Sequence, residues 1–142
     1  MRLWHVSMLP VLPRLQILGQ HREVAALRGN GFGKRHNVVN YVFKHSPIYL
    51  YAYHLRVMEE MQRRGYKPAE QWFNPCYRGK NCKPHTNIPA IDTELIYPEH
   101  NADYLRECLN NLKQKIDSAP EGKYSKSEKE KFYNYYQSFN DV

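Results

Sequence analysis

Apolar residues recur at helical spacing in four stretches of the chain. The clearest begins at Asn101, a capping residue, and runs to about Ile116, with Leu105, Cys108, Leu109, Leu112 and Ile116 on one face. A second opens at Ser46, which caps, with Pro47 at the first helical position. It carries the stripe Leu50, Tyr53, Val57 and Met61, and ends in Arg63 and Arg64 before Gly65. A third starts at Ser125, where Glu128 three residues on completes a capping box, and aligns Phe132, Tyr135, Tyr136 and Phe139. The first in chain order spans Pro13 to about Leu27, with Gly29 as its stop signal.

That first stretch has two unlike sides. Gln16, Gln20 and Glu23 share one with Gly19, whereas Leu15, Leu18 and Ala25 share another. A glycine inside a helix costs about 1 kcal/mol relative to alanine, so Gly19 points to a close approach by another segment or a ligand. The apolar stretch Val38 to Phe43 is too short to separate helix from strand. From Lys67 to Glu99 five prolines interrupt any period, and the pattern predicts a long irregular connection. No repeat or domain boundary is visible, and a Lys/Ser/Glu-rich stretch between Gly122 and Lys131 flanks the last helix. The expectation is an all-α, compact, single-domain fold over residues 1–142, with long irregular connections.

Composition changes this picture in two ways. With 142 residues and 42% hydrophobic side chains, the chain can close one core without staples, which excludes global disorder. The net charge of +7 is unevenly spread: residues 1–68 hold 11 Lys and Arg against 3 Asp and Glu, and residues 69–142 hold 10 against 11. A positive excess confined to one half predicts a basic face for a polyanion. Nucleic acid ranks ahead of a membrane surface, because no segment joins these charges to a long apolar face. Three cysteines are too few and too odd for a secreted disulfide framework, and the run Leu3–Pro13 is too short to span a bilayer. A cytoplasmic protein is expected.

Glu23 stands out as the lone carboxylate among eight cationic side chains in residues 1–58. It is either a salt-bridge partner for Arg22 or Arg28, or a group that shuttles a proton and stabilises developing positive charge, with two neutral amides holding it in place. The segment Arg28-Gly-Asn-Gly-Phe-Gly-Lys-Arg-His36 alternates glycine with other residues and ends in cations. It suits a backbone clamp on phosphate through Lys34 and Arg35, or an ordinary turn. It meets neither the dinucleotide nor the nucleotide-triphosphate fingerprint. Cys76, Cys82 and His85 lack the spacing and the fourth ligand of a zinc site. Of the terminal aromatics, Phe132 and Phe139 are expected in the core, and Tyr133 or Tyr136 is available to stack on bases.

The order of Met1-Arg2-Leu3, Gln20-His21-Arg22-Glu23, Arg63-Arg64-Gly65-Tyr66 and the terminal Phe-Tyr-Asn-Tyr-Tyr resembles the pyrimidine-dimer DNA glycosylases of the phage endonuclease V type. The resemblance spans most of the chain, apart from Gly29–Phe43 and Trp72–Pro89. It implies an all-α fold, damaged double-stranded DNA as partner, no cofactor or metal, and no obligatory protein partner. It also implies a bifunctional reaction: cleavage of the glycosyl bond at a dimer, then strand scission at the abasic site through a Schiff base on the N-terminal α-amine. The amine maps to Met1, the assisting glutamate to Glu23, and phosphate-gripping arginines to Arg2 and Arg22. A further family arginine falls at Ala26 here, and Arg28, half a turn on, is the candidate substitute. The expected DNA-binding set is therefore Arg2, Arg22, Arg28, Lys34 and Arg35, in a monomer.

The chemistry is sound on its own terms. An α-amine with pKa about 7.8 has roughly 400 times the free-base fraction of a lysine at about 10.4, and a positive field favours the neutral form further. The phage-type enzymes expose a small residue by losing methionine, whereas Arg2 follows Met1 here. Methionine removal needs a small second residue, so Met1 is expected to stay and restore the order of amine then arginine. The alternatives are a glycosylase and lyase for another damaged base, and a DNA-binding protein without catalysis.

Overall fold

The computed structural model describes residues 2–29, 37–88 and 90–140, and the regular elements among them are all helical. Helices α1 (Arg14–Arg28), α2 (Pro47–Arg63), α3 (Ala102–Asp117) and α4 (Lys126–Asn140) match the four expected stretches. Val38–Phe43 resolves in favour of helix, as part of a 3-10 segment, Asn37–Lys44.

The local reasons for these boundaries are mostly those expected. Ser46 Oγ accepts the Ile48 N–H at 3.3 Å, and Asn101 Oδ1 accepts that of Tyr104 at 2.9 Å. Ser125 and Glu128 form the reciprocal capping box. Gly65, at φ +91°, closes α2: its N–H meets the Gln62 carbonyl at 3.0 Å, and the Tyr66 N–H meets that of Met61 at 2.9 Å. That pair of bonds is a Schellman motif, and it needs the left-handed residue glycine supplies. Gly29 ends α1 differently, at φ −83°. A Cβ there would stand 3.1 Å from the Arg78 carbonyl oxygen, so glycine is needed for close approach.

Helix α2 lies at the centre. Besides the expected stripe it buries Ile48, Tyr51, Ala52, His54 and Met58, and so is covered on most of its circumference. Helix α1 packs on it through Ile17, Val24 and Leu27. The Leu15, Leu18 and Ala25 side is less buried: Leu15 is 40% exposed and the other two are half-buried. The expected face of α3 is buried throughout, and α4 closes the core with Phe132.

The element that the apolar periodicity does not reveal is the N-terminal segment. Residues 2–5 run without regular structure into a 3-10 segment, Val6–Val11, with Leu3, Trp4, Met8 and Leu9 all buried. A buried backbone must find partners, and side chains supply them. Gln20 Oε1 accepts the Trp4 N–H at 2.7 Å, Tyr53 donates to the Trp4 carbonyl at 2.6 Å, and Tyr104 donates to that of Leu3. His5 donates from Nε2 to the His100 carbonyl, and His100 Nδ1 accepts the Val6 N–H. Burial holds His100 neutral, with its pKa lowered to about 3. Arg64 joins the end of α2 to the carbonyls of Leu9 and Pro10, and Glu60 orients it at 2.8 Å. No helix among the described residues is long and apolar enough to cross a membrane.

Candidate active site

Between the N-terminal segment, α1 and α3 lies a cleft of about 390 Å³. Its floor comes from α1, where Gln16, Gly19, Gln20 and Glu23 project on one side at helical spacing. Arg2 and Trp4 form one wall, and Asn111 and Lys115 of α3 form the other. The polar side of α1 expected from sequence is thus the cleft surface. Gly19 opens it: a Cβ at that position would meet only the Arg22 guanidinium, at 3.8 Å.

Gln20 organises the interior. It is 1% exposed and uses both ends of its amide. Oε1 accepts from the Trp4 N–H and from the Tyr53 hydroxyl at 2.8 Å, and Nε2 donates to the Arg2 carbonyl at 3.0 Å and to Glu23 Oε2 at 3.3 Å. One buried amide therefore ties the backbone of residues 2–4 to the carboxylate.

Arg2 is braced at the rim. Its guanidinium lies 5.9–6.0 Å from the rings of Trp4 and Tyr104, 3.8 Å from Cys108 Sγ and 3.9 Å from the Glu107 carboxylate. Both rings stand at the outer limit of cation–π distance from it. Arg22 is exposed beside Gly19, and Lys115 is exposed across the cleft. Cationic groups thus surround a half-buried carboxylate.

Two amide oxygens, one on a floor residue and one on a wall residue, are sealed from solvent. Gln16 donates from Nε2 to the Tyr124 hydroxyl at 2.9 Å, but its Oε1 is buried without a hydrogen-bond partner, as is Asn111 Oδ1. Such an orphan acceptor costs about 1–3 kcal/mol in desolvation.

Arg28 departs from the expected DNA-binding set. It is 6% exposed, and its guanidinium donates to the carbonyls of Trp72, Asn74 and Tyr77 at 2.8–3.0 Å and to His54 Nδ1 at 2.9 Å, between the rings of Tyr51 and Trp72. Burial lowers its pKa to about 10, so it remains a cation at neutral pH. Arginine can only donate, so His54 accepts at Nδ1, carries its proton on Nε2 and donates that N–H in a hydrogen bond to His21 Nδ1 at 2.9 Å. Arg28 is the fastener of the Trp72–Tyr77 connection and is withdrawn from the phosphate-facing set. Met1, Lys34 and Arg35, and with them residues 30–36 of the glycine-rich segment, lie outside the described residues.

Other candidates also find places. Cys76 and Cys82 are free thiols, and the described residues assemble no group of three or more His, Cys, Asp or Glu able to hold a metal. Tyr133 bonds Asp117 and Tyr136 bonds Asn110, so both hydroxyls are engaged with α3. Asn111 and Lys115, one turn apart, were absent from the expected site. Their only signal in sequence is a polar pair flanking the apolar face of α3.

A family model described as pyrimidine dimer DNA glycosylase matches residues 1–74, just over half of the chain. The match holds the N-terminal and α1 sides of the cleft, and α3 lies beyond it. No curated protein and no solved structure matches.

Proposed function

The chain belongs to the pyrimidine dimer DNA glycosylase family, as a DNA-repair glycosylase acting on damaged DNA, and on that premise we propose that it cuts through a Schiff base on the Met1 α-amine with Glu23 assisting. The observation that carries this reading is the Gln20 amide, which holds the Arg2 carbonyl and Glu23 together at the cleft floor.

The free amine attacks C1′ of the damaged nucleotide, forming an N–C1′ bond as the glycosidic C1′–N bond breaks and the base leaves with a proton. With the base protonated from solvent, transfer of an amine proton to O4′ as the C1′–O4′ bond breaks opens the sugar ring and gives a cationic imine. Glu23, a carboxylate beside that cation, stabilises it and removes a C2′ proton. The electrons shift to expel the 3′ phosphate in a β-elimination, which is the lyase step. Reaching C1′ inside a duplex requires the nucleotide to be extruded or the helix kinked. Arg2, Arg22, Lys34, Arg35 and Lys115 supply the cationic grip for that distorted backbone. The protein acts as a monomer in this reading.

Glu23→Gln tests the role of the carboxylate. Binding to dimer-containing duplex is retained, while strand cleavage falls at least 100-fold, the scale of a lost general acid–base group. An unchanged cleavage rate removes Glu23 from the mechanism.

A further inference from the structure

The second half of the chain is close to neutral as a whole, yet residues 71–91 hold Arg78, Lys80 and Lys83 and no Asp or Glu. The chemistry just described uses none of them. The fold lays part of this segment against α1, where Trp72 and residues 78–82 wall a groove of about 280 Å³ with Ala25, Ala26 and Gly29 as its floor. Arg78 fastens the wall to the end of α1: its Nε donates to the Arg28 carbonyl at 3.0 Å, and its Nη2 donates to that of Gly29 at 3.2 Å. Both acceptors are backbone oxygens, so this attachment does not use the Arg28 side chain. Lys80 is exposed in the turn that follows Gly79, itself at φ +95°. Among the described residues no carboxylate pairs with Arg78 or Lys80.

We propose that the Trp72–Cys82 connection is a second arm of the DNA interface, in which Lys80, steadied by Arg78, holds the phosphodiester backbone where it leaves the cleft and crosses α1. This rests on the glycosylase reading above. Three features specify that occupant. The floor has no side chain longer than a methyl group and the wall is cationic, which suits close approach by a phosphate chain. The volume lies below the range of about 300–1,000 Å³ for pockets that enclose a small ligand, so the groove fits a strand passing across it. The third feature is continuity with the cleft. Arg22, Ala26 and Gly29 follow at spacings of four and three on one side of α1, and the Arg22 guanidinium leans back beside Gly19 in the cleft floor. One exposed arginine thus joins the cleft to the groove. The groove floor lies about 10 Å along α1 from the cleft floor at 1.5 Å per residue, which corresponds to about three nucleotides at 3.4 Å each.

A phosphate-by-phosphate scan tests the assignment. Dimer-containing duplexes carry one neutral methylphosphonate linkage each, stepped outward from the dimer on both strands, and binding is read by fluorescence anisotropy on ice, ahead of strand cleavage. In the wild-type protein one linkage about three nucleotides from the dimer weakens binding when neutralised. Lys80→Ala lowers the slope of log affinity against log salt by about 1 and binds that modified duplex as well as the parent. Arg22→Ala keeps the sensitivity at that linkage, because its own phosphate is a different one. Ala26→Glu, which puts a like charge on the groove floor, weakens binding by about tenfold or more. A wild-type protein indifferent to every linkage two to four nucleotides out overturns the proposal, and so does a Lys80→Ala variant with an unchanged salt slope. Lys80 is exposed, so its removal leaves the fold intact. Binding with this pattern but without strand cleavage would overturn the Schiff-base reading and leave the second arm standing.

Discussion

Two arginines in one helix, Arg22 and Arg28, have opposite fates six residues apart. Arg22 is exposed at the edge of the cleft, whereas Arg28 is enclosed by three carbonyls, a histidine and two rings. Their substitutions should therefore separate cleanly. Arg22→Ala leaves urea stability within about 0.5 kcal/mol, weakens DNA binding, and lowers the slope of log affinity against log salt by about 1, as one phosphate contact is lost. Arg28→Met leaves that slope unchanged and costs about 2–4 kcal/mol in stability, because its buried acceptors are orphaned. Paired salt titrations and urea melts check both. A reduced salt slope in the Arg28 variant would return it to the DNA surface. Residue type alone does not distinguish the two, since a count of charges treats every arginine alike. The distinction needs the Trp72–Tyr77 connection, whose irregular backbone leaves carbonyls that only a long, multi-donor side chain reaches.

At the scale of elements, the helix boundaries were legible because caps and stop signals act locally. Ser46, Asn101, the Ser125–Glu128 box and Gly65 each work through bonds to their own helix. The polar side of α1 was legible for a similar reason: spacing along a helix fixes direction. What spacing does not reveal is which other element faces it. Asn111 and Lys115 reach the cleft through the packing of α3, and the buried N-terminal segment is held by side chains from α1, α2 and α3. Neither arrangement has a period to read. Gly19 sits where these effects meet, facing open cleft from the middle of α1. Gly19→Ala should stabilise the protein by about 0.5–1 kcal/mol through helix propensity, yet slow excision by narrowing the cleft floor. Thermal melts and single-turnover cleavage check the two effects. A variant both more stable and fully active would show that the cleft does not hold the substrate there.

At the scale of the whole molecule, the basic half of the chain is also the half that carries the family match and the floor of the cleft. The excess charge is thus divided between grip and architecture. The N-terminal segment depends on buried, neutral histidines, and this gives the fold a pH dependence of known sign. His100 titrates near 6.5 when unfolded and at about 3 when folded, because burial penalises its cation and His5 adds to the effect. Burial lowers His54 as well. The unfolded chain therefore binds more protons than the folded one below pH 6.5. The stability these groups contribute is complete above that pH and is lost as pH falls toward about 3. For His100 alone the loss reaches about 2 kcal/mol by pH 5, before most carboxylates titrate. Urea midpoints measured from pH 7 to 5 should fall accordingly, and a flat profile would contradict the neutral assignment.

The central proposal is that the Met1 α-amine is the nucleophile and that Glu23, tied through Gln20 to the Arg2 carbonyl, assists it. Borohydride reduction during incubation with dimer-containing or abasic duplex freezes the imine as a stable amine, and peptide mapping locates it. The account predicts a covalent protein–DNA adduct on the Met1 α-amine, abolished when that amine is blocked. An adduct on Lys115, the rival amine in the same cleft, would contradict it, as would no adduct while the DNA is demonstrably bound.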